Sequence, residues 1–241
     1  MKKSIVILTV VIALIISGCK NTDNQEETYM DIKEPEVVNY QSIQCRQIEE
    51  ALKEEITATI ETNYGSVVVS LFPKEAPLMV DNFIKLVEEK YYEDFGLVNV
   101  TSVSIGVGKI GEPDYTFKTA TGENIPVEIN EDFGMIYGSL VAPRRINVEG
   151  EESLNTGNFA IIDKDFLTDE EEKELIDMEM TQELREAFQT VGGNIRNHKD
   201  ITVFGQVIKG MEVIEEIRKL EVGPLNQPNK LIQILSIKIS E

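Results

Sequence analysis

The chain has 241 residues, with 43 Asp and Glu against 23 Lys and Arg, a net charge of −20. That length holds one domain of ordinary size plus appendages, and that charge repels phosphate, which excludes nucleic acid and anionic headgroups as partners. Two Cys and a single His leave no CxxC and no paired His, so no metal and no cofactor is expected.

The N-terminal "MKKSIVILTVVIALIISGC" has a basic start at Lys2 and Lys3, an apolar run from Ile5 to Ile16, and small residues before Cys19. This is a secretory signal, too short for a comfortable span of the bilayer. "Ile16-Ser17-Gly18-Cys19" resembles the bacterial lipobox, in which the Cys thiol takes a diacylglyceryl group and cleavage leaves Cys19 first. A plain signal peptide or a short anchor helix is the alternative. Two acyl chains hold a protein on a membrane, at roughly 0.8 kcal/mol per buried CH₂. The expected location is therefore extracytoplasmic, lipid-anchored to the bacterial cell membrane. Cys45 has no other thiol to pair with once Cys19 is acylated.

Residues 19–55 read as a flexible tether: "KNTDNQEETYMDIKEPEVVNYQ" is polar and acidic. One helix is possible over 42–56, with Ile43, Ile48, Leu52 and Ile56 near one face. The globular pattern spans 56–241. "TATIETNYGSVVVSLFP" is a β-hairpin with its turn at Asn63-Tyr64-Gly65. A helix follows, with Pro77 in its first turn and Val80, Phe83, Ile84 and Val87 at helical spacing. From Leu97 to Ile162 short β-like runs are broken by Gly, Asn and Pro, as in an antiparallel sheet or barrel. Residues 165–193 change character to one long or two short amphipathic helices, with Thr168 as N-cap and Gly192 just past the end. "ITVFGQVIKGMEVIEEIRKLEVG" gives a strand, a Gly turn and a helix, and "NKLIQILSIKIS" a last strand.

Three segments together resemble the cyclophilins, the β-barrel peptidyl-prolyl cis/trans isomerases. They are "IETNYGSVVVSLFPKEAPLMVDNFIKLVEEKYY" (60–92), "SLNTGNFAII" (153–162) and "VFGQVIKGMEVIEEI" (203–217). The resemblance implies a mainly β fold: an eight-stranded antiparallel barrel capped by two α-helices, here with a helical insertion at 165–193. It implies isomerase activity on proline-containing or partly folded polypeptides.

The family's catalytic chemistry is electrostatic. Rotation about X–Pro meets a barrier of about 20 kcal/mol from amide resonance. In the twisted transition state the proline nitrogen becomes basic, and a fixed guanidinium can hydrogen-bond it there and not in the planar ground state. The family carries that group in F-H-R-V after Y-Y. In a gapless reading Leu97-Val98-Asn99-Val100 takes this place, so Asn99 stands for the Arg. Asn is shorter and uncharged, and charge-assisted bonds are roughly twice as strong as neutral ones.

Other groove positions depart as well. Val107 falls near the family Gln. In "GNFAII" Asn158 stands for Gln, Phe159 matches the first Phe, and Ala160 replaces the second, the floor of the proline pocket. Ile201 takes the place of the groove His, with His198 three residues earlier, and the chain has no Trp. "GSLVAPRRI" resembles the family's L-x-M-A-R strand, so Arg144 or Arg145 could swing in as a substitute guanidinium; the bland alternative is a pair of solvated loop residues balancing Glu149, Glu151 and Glu152. Two readings follow: a working or weakened isomerase, or a non-catalytic binding or chaperone-like module on the same scaffold.

Other motifs carry little. "GVGKIG" (106–111) matches GxGxxG, but Glu112-Pro113 follows where a helix should open, so it reads as a turn. "DKDFLTDEEEKE" (163–174) has acids at several calcium-loop positions, but Thr168 stands where the sharp turn needs Gly, so it reads as a solvated acidic helix start. The insertion is expected beside the groove, either as a lid or docking surface or as a helix covering the pocket.

Overall fold

The computed structural model describes residues 34–111, 119–123, 125–146, 153–155, 157–196 and 200–241, the side chains of 144–146 and 153–155 excepted. Its first hairpin pairs β1 (Thr57–Thr62) with β2 (Gly65–Leu71) across Asn63-Tyr64. The Thr62 hydroxyl fixes this turn, accepting from the Tyr64 N–H and donating to the Gly65 carbonyl at 2.7 Å. Helix α1 (Arg46–Ala51) precedes the hairpin and α2 (Pro77–Glu88) follows it, with Pro77 in the first turn as expected. The free N–H groups of Leu78 and Met79 donate to the Glu128 carboxylate at 3.0 and 2.9 Å, which also places an anion at the positive end of the helix dipole.

Next come β3 (Phe95–Val100), β4 (Ser104–Lys109), β5 (Ile125–Pro126), β6 (Ser139–Ala142), β7 (Arg144–Ile146), β8 (Ser153–Asn155) and β9 (Ala160–Ile162). Helices α3 (Asp169–Asp177) and α4 (Gln182–Val191) form the insertion, and β10 (Thr202–Lys209), α5 (Met211–Arg218) and β11 (Ile234–Ser240) complete the chain. Eight strands make one antiparallel sheet in the order β11-β1-β2-β10-β6-β9-β4-β3. Its two edges meet: Gly96 bridges Gln233, and the Leu97 N–H donates to the Ile232 carbonyl at 3.1 Å. The result is the expected nearly closed barrel. Strands β5, β8 and β7 form a separate small sheet that the sequence did not announce.

Alternation along the strands sends one side-chain set into the barrel. Ile60, Val67, Val69, Leu97, Val100, Ile105, Val107, Leu140, Phe159, Ile161, Phe204 and Val207 form its core. Helix α2 closes it with Met79, Val80, Phe83 and Leu86, and α5 with Met211, Val213, Ile214 and Ile217. Phe83 is central, with ring centroids of Phe159, Tyr92 and Phe204 within 5.7 Å.

The described part of the expected tether is not a tether. From Glu34 onward the chain runs along the outside of the barrel: the Val38 N–H donates to the Ile208 carbonyl, and Tyr40, Ile43, Cys45, Ile48 and Ala51 are buried. The helix is shorter than the 42–56 pattern; Leu52 is exposed and Ile56 only half-buried, because the chain turns into β1. A buried polar network holds the segment down. Gln47 Nε2 donates to Ser139 Oγ and Gln206 Oε1, both at 2.9 Å, and Gln47 Oε1 accepts the Gly134 N–H. Gln206 Nε2 donates to the Tyr40 hydroxyl, which donates to the Val207 carbonyl.

The insertion is two short helices. Thr168 caps α3 in a full capping box with Glu171, and Gly192 ends α4 at φ +78°, packed so closely on Asp165 and Phe166 that a Cβ would clash. Leu175, Leu184, Ala187 and Phe188 pack on Tyr40, Ile43, Cys45 and Ile48, so the insertion and the N-terminal segment share one small core.

The acidic stretch before α3 is less solvated than its composition suggests. Asp163 is fully buried, and Glu171 is buried in an ion pair with Lys164. One of these acids is therefore inside the fold, and another caps a helix. The "GVGKIG" glycines also differ from the expected turn: Gly106 and Gly108 lie inside β4.

Candidate peptide groove

The outer faces of five adjacent strands carry the positions singled out in the sequence. Register places Asn99 of β3 opposite Gly106 of β4, Gly106 opposite Ala160 of β9, Ala160 opposite Val141 of β6, and Val141 opposite Val203 of β10. These five residues form one row across the barrel wall. A β-bulge between Leu97 and Asn99 shifts the register there, so that Val98 and Asn99 lie against Gly108 and Gly106 while Leu97 and Val100 remain in the core. Bulges recur next to functional sites because they re-aim a side chain.

Only part of the expected set comes together. Asn99, half-buried, and Ala160 share the row, and Ile201 packs at its β10 end. Val107 does not belong to it. The gapless alignment ignored the strand period: in "SIGVGK" Ile105 and Val107 alternate with glycines, and both point into the barrel core. Gly106 faces the groove instead, a residue that alternation alone could have identified. Phe159 is likewise a core residue, its ring edge-on to Phe83 and 5.6 Å from Tyr92. Asn158 beside it is buried. The Arg144 backbone leaves the barrel as the first residue of β7 and pairs with Asn155 in the small sheet. The Arg144 and Arg145 side chains, His198 and Cys19 lie outside the described residues.

Sequence reasoning missed what lies over the row. Phe72, Phe133, Met135 and Ala51 join Val141, Ala160, Ile162 and Val203 in a second apolar cluster on the outside of the barrel. Phe72 and Phe133 meet edge to face at 5.0 Å, and the Arg46 guanidinium stands 5.8 Å from the Phe133 ring. Ala160, Val141 and Val203 are each at most 7% exposed, so a proline ring reaches this wall only by displacing a neighbour. The insertion helices contribute no residue to this cluster. Chemically the row offers one neutral amide, Asn99, and otherwise hydrogen or alkyl groups.

A nearly closed, eight-stranded antiparallel barrel with a helix at each end and a groove row on its outer wall defines the cyclophilin class. The chain matches the family model "Cyclophilin type peptidyl-prolyl cis-trans isomerase/CLD" over residues 57–239, and it belongs to that family. Relatives in Staphylococcus saprophyticus and Staphylococcus aureus, each named "Putative peptidyl-prolyl cis-trans isomerase", are 28% and 30% identical over 196 residues, covering 78% of this chain and 93% of theirs. Among solved structures, a Cryptosporidium parvum cyclophilin-type isomerase superposes with a TM-score of 0.59 at 18% identity, covering 77% of this chain and 97% of that one. A second structure of it, in the presence of the dipeptide Ala-Pro, gives the same score.

Proposed function

We propose that this protein is a lipid-anchored, extracytoplasmic member of the family that engages proline-containing or partly folded exported polypeptides, with isomerase catalysis weak or lost. What supports it is the outer row: Asn99 and Ala160, which the sequence resemblance sets against the family's guanidinium and aromatic floor, lie in register across β3, β4 and β9 with Gly106 between them. Removing one preorganised donor of developing charge costs about 3–4 kcal/mol of transition-state stabilisation, or 10²–10³ in rate. The burial of Ala160, Val141 and Val203 favours the second reading, a non-catalytic binding or chaperone-like module, over an intact but slow enzyme. The anchor rests on the lipobox-like sequence ending at Cys19.

NMR exchange on a panel of X–Pro peptides tests the catalytic part. The expected result is no acceleration above background, or one at least about 10²-fold below a family member that keeps the Arg. Full acceleration, abolished by Arg144→Ala or Arg145→Ala, would overturn it and assign the guanidinium to one of those residues. Metabolic labelling with radioactive palmitate tests the anchor: wild type should take up label and Cys19→Ala should not.

A further inference from the structure

The cover over the outer row is a short stretch of chain that faces two ways. Residues 133–136 follow the Asn130 turn, belong to no strand of either sheet, and are all buried. Phe133 and Met135 lie down on the wall, in one apolar cluster with Val141, Ala160 and Val203. Gly134 and Ile136 face the other way. Ile136 joins the small core shared by the insertion and the N-terminal segment, and a Cβ on Gly134 would stand 2.9 Å from the Phe188 ring of α4. The alternation is that of a strand, with one side on the outer row and the other under the insertion.

The polar bonds of this stretch run mainly outward. The Gly134 N–H donates to Gln47 Oε1 at 2.8 Å, the Asn194 N–H donates to the Met135 carbonyl at 2.8 Å, and Ile136 bridges Gly193. The Ser139 hydroxyl donates to the Gly134 carbonyl and itself accepts from Gln47 Nε2. Arg46, next to Gln47, pairs with Asp132 at 2.9 Å. At its C-terminal end the stretch is fixed to the barrel by Gly138, left-handed at φ +83°, whose N–H donates to the Ile162 carbonyl. Hydrogen bonds are directional and weaken steeply when a partner turns away, whereas apolar contact is not directional. The grip that sets the position of Phe133 and Met135 is therefore the polar one, from residues 46–47 and from the end of α4. The insertion adds no residue to the cluster on the wall, yet it reaches the wall through this stretch.

We propose that residues 133–136 are a gate on the outer row, latched by the insertion and the N-terminal segment. Closed, Phe133 and Met135 take the apolar wall that a proline ring must reach. When Gln47 or α4 lets go, the stretch swings about Gly138 and the row opens. The gate rests on the reading of the outer row as a peptide site, and it makes access to that site depend on two elements outside the barrel. The coupling is reciprocal: a peptide seated on the row loosens α4.

The test reads the wall directly, in the full-length chain in zwitterionic nanodiscs. Val141→Cys places a thiol in the wall cluster and Leu140→Cys places one beside it in the barrel core, and iodoacetamide alkylation at each position is followed by mass spectrometry. Position 141 should react at least about tenfold faster than position 140, because a local opening is cheaper than global unfolding. Adding Gln47→Ala or Phe188→Ala should speed position 141 by a further factor of at least about ten. Adding Ile214→Ala, in the core between α5 and the barrel, should speed position 140 and leave position 141 unchanged. Equal rates at the two positions in every background, or a rate at 141 indifferent to Gln47→Ala and Phe188→Ala, overturns the gate. The use of the gate is read by fluorescence anisotropy of a labelled Gly-Ser decapeptide with a central Ala-Pro, against one with Ala-Ala. The apparent Kd scales inversely with the open fraction, so the two latch variants should bind the Ala-Pro peptide at least about tenfold more tightly than wild type. Faster alkylation at 141 with no gain for Ala-Pro over Ala-Ala keeps the gate and overturns the outer row as a proline site. Binding of Ala-Pro that is equal in all chains, with alkylation unchanged, keeps the site and overturns the gate.

Discussion

The two faces of β3, β4 and β9 differ in kind. The inner face is a complete apolar core: Leu97, Val100, Ile105, Val107, Phe159 and Ile161 pack with Phe83 and Phe204 around the barrel axis. The outer face, one residue away at every step, presents Asn99, Gly106 and Ala160. A period of two separates what folds the protein from what faces the candidate groove, so one can change without the other. The family match spans both faces and does not distinguish them.

Neighbouring residues give the sharpest test. Phe159→Ala opens a cavity in a core where the ring is fully buried against Phe83 and Tyr92, and should cost about 3–5 kcal/mol in chemical denaturation. Ala160→Phe restores the family's ring type on the opposite face. It meets a closed apolar cluster and should cost about 1–3 kcal/mol by overpacking. If Ala160→Phe is instead neutral and the variant gains affinity for X–Pro peptides, the outer wall is more open than its burial indicates, and the contrast between the faces fails on the outer side.

A second test concerns the segment laid over that wall. Gln47→Ala removes three hydrogen bonds at once and leaves the Gly134 N–H and the Ser139 and Gln206 side chains short of a partner where each is buried. One unsatisfied buried group costs about 1–3 kcal/mol, and the whole change should cost about 2–4. Limited proteolysis should then cut first within residues 34–51. A variant as stable as wild type would mean that water replaces the Gln47 amide, and that apolar contacts alone hold the segment.

How much of this was legible in the sequence follows from the same geometry. The hairpin at Asn63-Tyr64, the Pro77 helix, the Thr168 cap and the Gly192 stop are local signals, and each appears in the structure. Motif spacing set Asn99 against the family's Arg, and the structure puts it on the outer wall, just past the bulge. On the next strand the gapless count put Val107 on the wrong face, and strand alternation, not motif spacing, corrects it. The cover of Phe72, Phe133 and Met135 was not legible, because residues so far apart in sequence are brought together only by tertiary packing. Tyr40 and Gln47 look like tether residues for a similar reason: their partners, Val207, Ser139 and Gln206, are about 90 to 170 positions away.

The smallest effect tests the joint between barrel and insertion, where β9 leaves the wall. Asp163 is fully buried there, with the Arg218 Nε 3.9 Å from its carboxylate and the Arg218 Nη1 donating to its backbone carbonyl. Burial raises its pKa from 3.8 to about 6; Arg218 opposes the shift, and Asp165 adds to it. The native state therefore holds a proton that the unfolded chain releases at lower pH. From about pH 4 to about pH 6 the native state binds more protons than the unfolded one, so this group's contribution to stability is greatest below pH 4, is lost as pH rises to about 6, and stays level above that. Asp163→Asn keeps the shape and removes the charge. It should be close to neutral at pH 4, stabilise by about 1–2 kcal/mol at pH 7.5, and remove the slope between the two. Thermal unfolding of both chains across that range measures it. A variant that is less stable at pH 7.5 would show that the Arg218 pair outweighs the desolvation of Asp163. The joint would then be held by charge, unlike the uncharged outer wall from which it departs.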